Sequence, residues 1–142
     1  MEFISKIHGK IQYDENKIIT FNKGLPGFNS LKKFIIADLE ECEPFRLLHS
    51  LENDEVALVV TSPYEFYENY DIDISNEVIK NLSIKNPEEV LIIVTVTLNS
   101  DFKKTTMNLQ GPIVINTSNN LGEQIIVDNS KYKVKQLLMR EW

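Results

Sequence analysis

An all-β domain, mainly antiparallel and barrel-like with one short inserted helix, is the fold class that this chain predicts. Three observations lead there. Isoleucine (17) and valine (10) far outnumber alanine (2), a balance that suits half-buried pleated backbone better than helix. Short apolar runs follow one another closely, with turn residues between them. One stretch alone combines helical spacing with a cap, and there is neither βαβ alternation nor a fixed-period repeat. At 142 residues, 42% hydrophobic and 25% charged, the chain suits one domain over residues 1–142 with one sizeable core.

The elements follow in order. Phe3–His8 reads as a strand, and Lys10–Tyr13 with Lys17–Phe21 reads as a hairpin across Asp14-Glu15-Asn16. In Gly24-Leu25-Pro26-Gly27, Pro26 presets φ and Gly27 tolerates a positive φ, which together suit a type II turn flanked by Phe21 and Phe28. Leu31–Ala37 and Phe45–Leu51 are strands separated by an acidic loop around Glu40, Glu41 and Glu43. Asn53-Asp54-Glu55 turns into a strand at Val56–Thr61 that Pro63 ends. Ser75 can cap a helix whose stripe is Val78, Ile79 and Leu82, with Glu77 at the positive end and Pro87 beyond it. Val90–Asn99 begins as a run buried on both faces and ends as an alternating one. Thr105–Leu109, Pro112–Asn116 and Gln124–Asp128 complete the strands, with a break at Gly111-Pro112. Met139-Arg140-Glu141-Trp142 is expected as a tail.

Charge is unevenly distributed. Residues 41–89 carry twelve acids against three bases, whereas residues 1–40 (six bases, five acids) and 90–142 (six bases, four acids) are nearly balanced. Such an acidic third solubilises, and it also attracts and orients a basic partner. Direct nucleic-acid binding is disfavoured, since phosphate contacts need clustered cations. The alternation Lys131, Lys133, Lys135 is the one candidate, and it reads as protection of a strand edge.

No catalytic constellation emerges. His8 and His49 lack partners at metal-ligand spacing. Cys42, the single cysteine, excludes an intramolecular disulfide, and its acidic surroundings disfavour a thiolate. Asp71 and Asp73 could bind a hard cation or act as acid and base, but nothing supplies further ligands or a nucleophile. No glycine-rich phosphate loop exists, and no cofactor is expected. The longest apolar run is far too short to span a bilayer, and no leader pattern opens the chain, so a cytoplasmic protein without a membrane partner is expected.

The segment Pro63-Tyr64-Glu65-Phe66-Tyr67-Glu68-Asn69-Tyr70-Asp71-Ile72-Asp73 is the strongest interaction signal. Four aromatics interleaved with four acids cannot all be buried, and tyrosine joins a large apolar body to a polar tip. Tyr64, Glu65, Tyr67, Glu68, Tyr70, Asp71 and Asp73 are therefore the candidate partner-binding residues. The competing reading is a small ligand-binding module or enzyme in which Asp71, Asp73 or His49 faces a cavity.

Several stretches, taken in order, resemble the FliW family of bacterial flagellar assembly factors. They are Phe21-Asn22-Lys23-Gly24-Leu25-Pro26-Gly27-Phe28; Pro44-Phe45 with Leu48 and Ser50; Val59-Val60 with Pro63; and Val94-Thr95-Val96. Thr106-Met107-Asn108-Leu109-Gln110-Gly111-Pro112-Ile113-Val114-Ile115-Asn116 follows, then Gly122 and Gln124. The resemblance runs from about Phe3 to Tyr132. It implies a non-enzymatic cytoplasmic protein with a β-barrel-like fold that binds flagellin and the RNA-binding regulator CsrA. Such factors relieve CsrA's repression of flagellin translation without mimicking RNA, and free flagellin draws them away, coupling synthesis to secretion. The resemblance assigns no residue of this chain to either partner, and no small-molecule substrate is expected.

Overall fold

In the computed structural model of the chain, residues 1–6, 8–39, 42–129 and 131–139 are described. Glu40 and Glu41 of the expected acidic loop lie outside them, as do Ile7 and the expected tail residues Arg140, Glu141 and Trp142. The β-branched runs form strands: β1 (Glu2–Ser5), β2 (Gly9–Gln12), β3 (Ile19–Thr20), β4 (Lys33–Asp38), β5 (Arg46–Ser50) and β6 (Ala57–Thr61). The helix α1 (Asn76–Asn81) precedes β7 (Val90–Thr97), β8 (Thr106–Met107), β9 (Ile113–Asn116), β10 (Leu121–Gln124) and β11 (Gln136–Leu137). Seven of these close a ring in the order β7-β6-β5-β4-β3-β10-β9 and back to β7. Every contact in the ring is antiparallel except β3 with β10. From β7 a small wing, β8 then β11, continues outside the ring.

Closure leaves one sheet wrapped on itself around Phe21, Phe34, Leu48, Ile113 and Ile115. β9 is buried at all four positions. Ile113 and Ile115 point into that core, while Val114 packs with Val78 and Leu82 of α1 and its C-terminus. The helix is where the sequence places it: Ser75 Oγ accepts from the Val78 N–H at 3.2 Å. The carbonyl of Leu82, the residue that caps its C-terminus, accepts from the carboxamides of Asn116 (2.8 Å) and Asn119 (2.9 Å). Both ends of a six-residue helix are thus satisfied by side chains.

The type II turn is formed as expected. Phe28 N–H donates to Leu25 O at 2.7 Å, Gly27 has φ +84°, and Leu25 is buried. Phe21 is fully buried, whereas Phe28 is only half-buried.

Four expectations change. Lys10–Tyr13 does not pair with Lys17–Phe21. β2 pairs with β1 instead (Phe3↔Ile11, Ile4↔Lys10), because Gly9 (φ +83°) already supplies the turn. Asp14 then caps a 3-10 turn at Glu15–Lys17 and leads the chain away to β4 and β10. The strand expected at Gln124–Asp128 lies at Leu121–Gln124. Asn120 (φ +58°) closes a tight turn back to Asn116, so pairing starts at once. Lys131, Lys133 and Lys135 are exposed, but they stand in a turn-rich loop and not along a strand. The two-residue β11 that follows is too short for periodicity to reveal. Finally, burial in β7 peaks at Ile93 and Val94, and Val90 to Ile92 are half-buried.

Two features yield tests. A Cβ on Gly122 would lie 2.5 Å from the ring of Phe21, which is locked edge-on against Phe34. Gly122→Ala is expected to cost about 1–3 kcal/mol by overpacking, read from urea unfolding. The Glu52 carboxylate accepts from the backbone N–H groups of Lys32 and Lys33, tying the start of β4 to the end of β5. Those hydrogen bonds, that of Lys33 foremost, hold its pKa below the ordinary 4.5. The stabilisation is complete above that ordinary value and is lost as pH falls below it through the depressed folded value. Unfolding midpoints measured stepwise into acid should therefore fall more steeply for the native protein than for Glu52→Gln.

Candidate partner-binding surface

Between β6 and β7 the chain leaves the ring and returns, and this excursion carries the acidic tyrosine-rich segment. Pro63 begins a 3-10 turn, Pro63–Glu65, where its missing N–H costs nothing. Two successive turns, Tyr67 N–H to Pro63 O (2.9 Å) and Tyr70 N–H to Tyr67 O (3.0 Å), coil the segment against the wall. Phe66 stacks on Phe45, with ring centroids 5.8 Å apart and planes 11° apart.

Tyr70 corrects the expectation that it faces a partner. It is 3% exposed, and its hydroxyl donates to the Leu109 carbonyl. Tyr132 packs edge-on against it at 4.7 Å, and Tyr67 meets Tyr132 at 5.9 Å. The Tyr132 hydroxyl donates to Asp71 O (2.9 Å) and lies 2.8 Å from the Asp71 N–H. Burial first, then Tyr64 and Tyr132, pushes the Tyr70 phenol far above its ordinary range. Burial also raises Tyr64, with Asp71 and Tyr132 adding to it. Both phenols remain neutral donors at physiological pH.

Around this cluster stand the carboxylates. Glu65, Glu68, Asp71 and Asp73 are all exposed, and none enters an ion pair among the described residues. Tyr64 is 43% exposed and Tyr67 half-buried. The segment therefore presents Tyr64, part of Tyr67 and four exposed carboxylates on a base fixed by Tyr70, Phe66 and Tyr132. Sequence spacing did not single out Tyr132, which lies 61 residues from Asp71.

Also missed was a groove of about 550 Å³ beside the segment, walled by Ile72, Ile74, Ile79 and Ile92 and lined too by Tyr64 and Asp73. The available signal was the alternation of Ile72 and Ile74 with Asp71 and Asp73. His49 does not line it. That residue is fully buried on β5, its Nε2 2.5 Å from Ser5 Oγ and its Nδ1 2.7 Å from Ser50 O, beneath the edge of the Phe3 ring. The structure does not unite it with the two aspartates. His8 and Cys42 are exposed. Among the described residues no three His, Cys, Asp or Glu side chains are placed to hold a metal ion, and no helix is long and apolar enough to cross a membrane.

The turn at Pro26 and the break at Gly111-Pro112 come together at one place. Pro26, Asn108, Gln110, Gly111 and Gln124 line one shallow pocket. Asn108 Oδ1 accepts from Gln110 and Gly111 N–H groups, and Gln124 Nε2 donates to Gly111 O at 2.8 Å. The model of the FliW protein family matches residues 2–138.

The chain belongs to the FliW family.

A flagellar assembly factor FliW of Clostridium beijerinckii is 63% identical over 141 residues, covering 99% of this chain and all of that protein. One of Clostridium novyi is 47% identical at 99% coverage of both. A crystal structure of the flagellar assembly factor FliW superposes with TM-score 0.92 at 35% identity, covering 99% of each chain. The mostly β, barrel-like ring with one short helix is thus a FliW fold.

Tyr132→Phe tests the anchoring. Removing the hydroxyl leaves a part-buried Asp71 backbone pair without its partner, a loss of about 1 kcal/mol. Amide exchange across residues 67–73 should accelerate while the strands of the ring keep their protection.

Proposed function

We propose that this chain is a cytoplasmic flagellar assembly factor that holds two other proteins, flagellin and the translational regulator CsrA, and transforms no substrate. Membership of the FliW family supports the flagellar role. The observation that carries the binding reading is the set of four exposed carboxylates on a tyrosine base, none of them in an ion pair among the described residues. An RNA-binding regulator is cationic where it meets phosphate, so an acidic surface attracts it and, once docked nearby, repels the RNA backbone. CsrA repression of flagellin translation is relieved in this way. Rising free flagellin takes the factor away, and synthesis follows secretion. Within the segment, Tyr64, Glu65, Glu68, Asp71 and Asp73 make the contact; Tyr67 is half-buried, and Tyr70 supports them from below.

The competing module or enzyme is favoured by one observation, the 550 Å³ groove that Asp73 lines. Turnover of a small metabolite by the purified chain would establish it.

Replacing Glu65, Glu68, Asp71 and Asp73 together by Lys tests the binding reading. Affinity for CsrA in calorimetric titration should weaken by on the order of several kcal/mol, with the circular dichroism of the native fold retained. Unchanged affinity would remove the segment from the interface.

A further inference from the structure

The acidic segment has a counterpart of opposite sign on the wing. A 3-10 turn at Phe102–Lys104 places Lys103 and Lys104 just before β8. The loop leading into β11 carries Lys131, Lys133 and Lys135. Backbone hydrogen bonds from Leu109 N–H to Lys133 O (3.0 Å) and from Leu138 N–H to Thr105 O (3.1 Å) lay that loop and β11 along β8. The pairs Gln136↔Met107 and Leu137↔Thr106 lie between them. Two lysine groups about thirty residues apart in sequence therefore share one wing.

All five lysines are exposed, and none enters an ion pair among the described residues. Asp101, the acid of the turn, gives its carboxylate to the Lys103 backbone N–H at 3.1 Å. On the same wing Phe102 is 44% exposed, Val134 53%, Leu137 43% and Met139 45%. Lysines alone, flanking a short edge strand such as β11, would be explained as protection against strand pairing. Protection does not explain four large apolar side chains left open among them. Cations around apolar anchors are what a complementary acidic surface requires.

We propose that this wing is a second docking surface, separate from residues 64–73, and that its occupant is an acidic polypeptide face with apolar side chains. The identity of that occupant rests on the reading above. Like charge turns CsrA away from five lysines, so the wing is assigned to flagellin. The two surfaces abut at Tyr132, which follows Lys131 and bonds the Asp71 backbone. An occupant of either reaches the border of the other, and exchange of partners then needs no shared footprint.

The test uses the full chain carrying Lys103→Glu, Lys104→Glu, Lys133→Glu and Lys135→Glu, with the Lys→Gln set as a milder variant should the reversal fail to fold. Purified flagellin, CsrA and a flagellin leader RNA are titrated separately against native and variant protein at low and raised salt. Flagellin binding should weaken at least about tenfold in the reversal variant and should fall with salt in the native protein, while CsrA stays within about twofold. Unchanged flagellin affinity in a folded variant overturns the proposal, as does loss of CsrA in its place or salt-sensitive RNA binding by the native wing. Should the native protein bind neither partner, the functional reading itself falls and takes this one with it. If it binds both and the folded variants do too, the wing assignment alone is lost.

Discussion

Strand β7 is hydrogen-bonded along both edges, to β6 on one side and to β9 and β8 on the other, and this double pairing turns seven strands into a ring. A closed ring leaves its members no open edge and holds each register from two sides. Val94 is buried without exposure at its centre, and Ile93 joins the core around Phe21 and Phe34. Opening the ring at β7 would expose both the central core and the ladder that carries the wing.

The same closure explains why an acidic excursion is held rigidly. Residues 62–89 leave from β6 and return into β7, which are neighbours in the sheet. Both ends of the insertion are thus pinned close together, and its middle must lie on the outer wall. Tyrosine allows this in an acidic sequence. Tyr70 sinks its ring into the second apolar cluster with Val94, Met107 and Leu109, and its hydroxyl finds a backbone carbonyl. The carboxylates between the rings stay in water, where their charge is least costly. Alternation of aromatic and acid is in this sense a division between anchor and signal.

Opposite charges predominate on separate parts of the molecule, with Lys80 and Lys85 the bases of the first and Asp101 an acid of the second. The acids gather on the excursion between β6 and β7, and the lysines gather on the wing that β8 and β11 form. Tyr132 belongs to the loop of one and bonds the backbone of the other, so the boundary between the two is a packed aromatic contact and not a flexible linker. Motifs that read singly as turn chemistry, Pro26 in one and Gly111 in the other, meet beneath Gln124 in the same way.

What the chain determined by itself was local. Val and Ile runs became strands, Ser75 capped its helix, Pro26-Gly27 made its turn, and the interleaved acids stayed exposed. Each depends on φ preferences, hydrogen bonds or hydration within a few residues. The rest was decided by partners distant in sequence. Asp14 offered the expected hairpin turn, but Gly9 let β2 fold back on β1, and the pairing of β3 with β4 and β10 took the chain beyond Asp14 away from β2. Tyr70 and Tyr64 have similar neighbours in sequence, yet Tyr70 is buried because Leu109 and Tyr132 arrive over it, whereas Tyr64 stays 43% exposed. β11 exists because β8 offers an edge to two residues with no periodicity of their own. Strand partnership and burial are properties of a surface assembled from remote segments, and no local pattern encodes which segments will meet.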